Sequence, residues 1–246
     1  MKIEDLLSSR TDLSTFLVHL TRSANDKSAK DVLKQIISDD KIIAGSPYGI
    51  AAKKLQDKRL STESQKVVCF TETPMEHLSL LTGEIENRGC KFEPYGLAFT
   101  RKQCRKMGVN PVWYVDITPG HFWLTNPLNN MVDIAIEAGE FDKSDISKIS
   151  PFVEQMGAGE TDAGGRIRGY KKEFWWEREW RHVGDFYLPN TYIILCPTED
   201  MRELKNHVFD LKEGKCTSVS FIDPSWSLEY IIGKLAGFSG DELGPF

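Results

Sequence analysis

The segment FWWEREWRHVGDF, residues 174–186, sets two carboxylates, Glu177 and Glu179, among Phe174, Trp175, Trp176 and Trp180. On an extended chain such residues share a face, with Cα atoms about 6.5–7 Å apart. Repulsion between them and their apolar surroundings both work against double ionisation, so at least one pKa is expected to rise. The pair suits a reaction in which positive charge develops on a sugar carbon. One acid steadies the cation and orients the sugar while the other helps a nucleophile, the physical idea behind glycoside cleavage. The plain alternative is that Arg178 and Arg181 pair with these acids on an exposed strand edge, where ion pairs contribute little. The segment alone favours neither.

Two earlier stretches carry groups of a related kind. In LVHLT, His19 and Thr21 share a strand face and present an imidazole beside a hydroxyl, a combination suited to a sugar. The commoner use of such a histidine is a hydrogen bond within the core. In VVCFTET, Val67, Cys69, Thr71 and Thr73 alternate with Val68, Phe70 and Glu72. Phe70 offers a stacking platform for a flat ring, although a phenylalanine here is more often plain core. Cys69 is either a nucleophile or, more commonly, an inert buried thiol.

The elements that position these residues follow from pattern. Residues 14–22 read as a strand and 28–39 as a helix with Leu33, Ile36 and Ile37 on one side. A polar loop runs on to Gln65. A strand begins at Lys66 and turns at Pro74, near the first turn of a helix reaching about Leu81. Strands are expected at 95–100 and 110–117, the first followed by the short basic helix RKQCRK, residues 101–106, an exposed charged face. Residues 127–156 carry two helical patterns and few strand signals, and a helical insertion is expected over about 127–165. A glycine-rich loop follows, then strands in EWRHVGDFYL and TYIILC and a helix at 225–235. Helices and strands mix without regular alternation, which indicates an α+β class.

The 246 residues are 40% apolar and 27% charged, with a net charge of −5. That is enough chain for a real core and an ordinary globular composition, and the acidic balance gives no global pull towards nucleic acid. A local exception is the run holding Arg166, Arg168, Lys171 and Lys172 beside aromatics. It suits single-stranded nucleic acid or is a solvated loop. Five scattered cysteines form neither a metal-spaced cluster nor a disulfide framework, so no metal is expected and a reducing, cytoplasmic setting is. No stretch reaches the length of a membrane helix, and the N-terminus lacks a signal-peptide core.

Taken in order, the strand-borne His-x-Thr, the strand with an aromatic and a hydroxyl, and the late Glu-x-Glu resemble the ADP-ribosyltransferase fold. LVHLT with its VLKQII helix, CFTETPM and EREWRHV look like the matching segments of DarT-type transferases. The succession VHLT, CFTETP, YGLAF, NPVWYV and EREWR, over about residues 15–190, is also similar to the AbiGi family of phage-resistance proteins, whose label joins abortive infection to an antitoxin role. The resemblance implies a single domain over residues 1–246 with an ADP-ribosyltransferase-like split mixed sheet. It implies Glu179 as the catalytic glutamate on the nicotinamide ribose and Glu177 as the acid that positions the acceptor. His19 and Thr21 would hold the adenosine-side ribose, Arg22 the pyrophosphate, and Phe70 the nicotinamide with Thr71 nearby. Two departures stand out. Asn25 is the one asparagine soon after His-x-Thr, where the transferases have more, and Phe70 replaces a frequent tyrosine.

The resulting expectation is a transferase that uses NAD as substrate in anti-phage defence or a toxin–antitoxin pair, with a nucleic-acid or protein acceptor. The alternative is a non-enzymatic antitoxin or sensor that binds a partner protein, such as a cognate toxin, or a nucleotide signal. A third reading, a metal-dependent nuclease, has the loose oxygen set of Glu177, Glu179 and Asp185.

Overall fold

The computed structural model describes residues 11–83, 85, 91–118, 123–157, 160–161, 167–168, 174–211, 218–239 and 242–243. The chain divides into two compact units, one of residues 1–41, 72–104 and 187–246, the other of residues 42–71 and 105–186. Helices and strands mix in both, as the pattern of elements implies, and the sheet pairing is mixed.

In the first unit four strands lie in the order Ser218–Ile222, Thr191–Leu195, Gly96–Thr100, Phe16–Leu20. The first pair is parallel and the others antiparallel. A parallel pair needs a long crossover, and the helix Met201–Leu211 lies between those two strands in the chain. Leu17, Val18, Leu97, Ala98, Phe99, Ile194 and Leu195 are all buried. The unbroken apolar runs of these strands therefore mark burial on both faces rather than an amphipathic edge. Gly96 lies against the neighbouring strand so closely that an added Cβ would sit 2.3 Å from the His19 carbonyl oxygen.

The helix Ala29–Asp39 starts where Ser28 accepts a hydrogen bond from the Asp31 amide, an N-cap that satisfies one of the free first-turn donors. Its buried stripe is Ala29, Leu33, Ile36 and Ile37, as the spacing predicts. On its outer side Lys30 donates to Asp200 at 3.1 Å and to Glu203 at 2.9 Å, and Lys34 also pairs with Glu203. Tyr95 donates its hydroxyl to the other oxygen of Asp200 at 2.5 Å. The helix is thus tied to the Met201–Leu211 helix by charge as well as by Leu204 and Val208 packing inward.

The second unit is built on the antiparallel strands Lys66–Thr71 and Glu179–Val183, with Ser46–Pro47 paired to the former and Asn110–Pro111 to the latter. A separate parallel pair joins Trp113–Asp116 to Val153–Met156. The helices Ala52–Asp57, Thr125–Glu137 and Asp145–Ile149 contribute to one apolar cluster that includes Leu55, Val115, Leu128, Val132, Ile136, Ile146 and Val153. Buried Gln65 is satisfied on both ends of its amide. It accepts from the Ser150 hydroxyl at 2.6 Å and donates to the Ser147 carbonyl at 3.0 Å, which removes most of the cost of burying it.

Several expectations need correction. The strand expected at 110–117 is two short ones that pair with different partners. Pro111 brings no amide hydrogen, and the chain changes partners at Val112, whose N–H donates to the Glu179 carbonyl at 2.9 Å. The stretch expected as helical insertion does hold two helices, but residues 153–156 form a strand. The loop expected before Gln65 contains the helix Ala52–Asp57. The Met201–Leu211 helix and the Ser218–Ile222 strand were not anticipated.

Gly96→Ala must push a backbone carbonyl aside, and a loss of about 2–3 kcal/mol is expected in urea unfolding. An unchanged midpoint would mean the strands separate freely there. The Lys30 and Lys34 contacts govern acid behaviour. Glu203 is held down to about 2 by the hydrogen bond from Lys34 and then that from Lys30, and Asp200 is lowered by the Tyr95 hydroxyl and then by Lys30. In the unfolded chain both titrate near the ordinary carboxylate value of about 4. The Glu203 contribution is therefore complete above that value and is lost as pH falls towards about 2, and that of Asp200 is lost in the same direction. The melting temperature of the natural protein should fall more steeply over that window than that of a Lys30→Met, Lys34→Met variant, and added salt should narrow the gap because the groups face water.

Candidate functional site

The two central strands of the second unit fix which groups can meet. Glu179 lies opposite Thr71, Trp180 opposite Phe70, Arg181 opposite Cys69 and His182 opposite Val68. Directly opposed residues point to the same side, and sides alternate along a strand. One side therefore carries Glu179, Arg181, Cys69 and Thr71, and the other Phe70, Trp180, Val68 and His182. The rings agree, since Phe70 and His182 both pack edge-on against Phe186, at 5.0 and 5.5 Å between centroids.

Arg181 is the centre of the first side and is only 1% exposed. Its Nε donates to Glu179 Oε1 at 2.9 Å and one Nη to Glu179 Oε2 at 2.9 Å, a two-point grip on one carboxylate. The same Nη donates to Glu154 Oε2 at 2.7 Å, and the other to the Pro151 carbonyl at 2.7 Å. The Tyr48 ring covers the guanidinium at 4.9 Å, within reach of a cation–π attraction. Burial opposes the charge, but Glu179 and then Glu154 outweigh it, so Arg181 holds its proton more tightly than usual.

Glu179 receives more than the guanidinium. The Tyr114 hydroxyl donates to Oε2 over a long 3.4 Å, and Cys69 lies on the same side of the sheet. Both carboxylate oxygens thus accept from the guanidinium, and one of them from the phenol as well. Desolvation, then the charge of Glu179, pushes both the Cys69 thiol and the Tyr114 phenol well above their ordinary values. Cys69 is therefore a protonated thiol and a poor nucleophile.

Glu177 does not share the strand face of Glu179 as its spacing predicts. Trp175–Glu177 forms a 3₁₀ turn and Arg178 is left-handed, at φ 48°, ψ 54°. The strand begins only at Glu179, so the two acids never share an extended face. Its carbonyl accepts from the Thr71 hydroxyl at 2.6 Å, and its charge adds to that of Glu179 in raising the Tyr114 phenol. Asp185 is engaged elsewhere, accepting from the Ala44 amide at 3.0 Å. Among the described residues no group of three or more His, Cys, Asp or Glu is placed to hold a metal ion.

Of the residues expected to hold NAD, Phe70 and Thr71 belong to this unit. Phe70 is 2% exposed and lies on the opposite side of the sheet from Glu179. His19, Thr21 and Arg22 belong to the first unit. His19 is half-buried opposite Leu97, and Arg22 is exposed. Thr21 is buried, and its hydroxyl lies 3.0 Å from the Ala29 carbonyl and 3.2 Å from that of Tyr95. The side chains of Arg166, Arg168, Lys171 and Lys172 lie outside the described residues.

Residues 44–213 match the family described as "Putative abortive phage resistance protein AbiGi, antitoxin". The chain belongs to the AbiGi family. No curated protein and no solved structure matches it. The AbiGi segment contains Tyr48, Cys69, Tyr114, Pro151, Glu154, Glu179 and Arg181, the whole Arg181 cluster, whereas His19, Thr21 and Arg22 precede it. Glu154, Tyr48 and Tyr114 were not singled out in the sequence. Glu154 sits in a four-residue strand, too short for a period to show, and nothing local marks the tyrosines.

Removing the guanidinium leaves Glu179 and Glu154 buried together without a counter-charge. Arg181→Met should cost about 3–5 kcal/mol, read as a lowered urea midpoint. Glu154→Gln keeps an acceptor for the guanidinium and should cost less, about 1–3 kcal/mol. Equal and small losses in both would show that the charged groups left behind reach water when unpaired.

Proposed function

We propose that this AbiGi-family protein acts in abortive infection as a non-enzymatic antitoxin that binds a partner protein of the defence pair. The observation that carries this reading is the state of Glu179. A transferase glutamate must accept hydroxyls from a ribose, with an aromatic ring against the attached nicotinamide. Here both oxygens of Glu179 accept from Arg181 and one of them also from Tyr114, and Phe70 packs on Phe186 from the opposite side of the sheet. Both groups serve the packing of their own unit. The family description supplies the antitoxin role, and an antitoxin implies a cognate toxin or another defence partner.

The competing reading is an NAD-dependent ADP-ribosyltransferase with a nucleic-acid or protein acceptor, and one experiment separates the two. The purified chain is incubated with NAD and nicotinamide release is measured. In parallel the chain is co-expressed with the product of the adjacent gene, and complex formation is followed by size-exclusion chromatography. The expected result is a stoichiometric complex and no nicotinamide above the buffer rate. Release that disappears in a Glu179→Gln variant with an unchanged circular dichroism spectrum would reverse the assignment in favour of the transferase.

A further inference from the structure

We draw no further inference here: the strongest candidate, the apolar stripe that Leu228, Ile232, Leu235 and Phe238 leave exposed along and just beyond the last helix, carries nothing because no feature of the structure shows what covers it.

Discussion

A guanidinium almost wholly out of water is the constraint on which the second unit depends. Taking such an ion out of water costs several kcal/mol unless good geometry and full hydrogen bonding offset it. Arg181 meets that condition by drawing on distant parts of the chain: Glu179 on its own strand, Glu154 on the Val153–Met156 strand, the Pro151 carbonyl and the Tyr48 ring. Each must be in place for the others to be useful. The approach of the Tyr48 segment is close enough to dictate the next residue. Gly49 has φ +90°, and an added Cβ would lie 1.8 Å from the Ser150 carbonyl oxygen. Only glycine fits both the backbone angle and the space.

Burial accounts first for the protonation of Arg181's neighbours. Cys69 and Tyr114 lie in a desolvated place, and the nearby Glu179 adds to the cost of a further negative charge. A group that would gain such a charge on ionising is held neutral there. Neutral, both remain donors, and the Tyr114 hydroxyl directs its hydrogen to Glu179. The carboxylate that helps keep the phenol protonated is thus also the acceptor it bonds to. Thr71, on the same side, is turned to another use and fixes the turn before the strand through the Glu177 carbonyl.

How much of this was legible in the sequence depended on the range of the interaction. Local signals read well. The helix holding VLKQII, the Pro74 turn and the strands holding His19, Phe70 and Glu179 are set by residues within a turn or two of one another. The partition of 110–117 was not legible, because it depends on which strand each half meets. The helix Met201–Leu211 did carry a readable signal in Met201, Leu204 and Val208, spaced three and four apart. At the site, alternation correctly put Cys69 with Thr71 and Phe70 on the other side. Extending the same alternation through Glu177 failed, because it assumed an extended backbone where Arg178 is left-handed.

That one backbone reversal separates a motif from its chemistry. Were EREWR extended throughout, Glu177, Glu179 and Arg181 would fall on one face, and a single guanidinium would have to serve two strand neighbours as well as Glu154. The 3₁₀ turn and the left-handed Arg178 take Glu177 off that face, leaving Glu179 as the sole i−2 neighbour with both oxygens turned to Arg181. A Glu-x-Glu spacing is then no sign of paired acids, and an acid two residues before a buried arginine is satisfied by its own strand before any ligand arrives. Fold-level likeness carries positions across, but a role travels only with the free valences of the side chain. By that measure Glu179 of this AbiGi chain holds Arg181 in place.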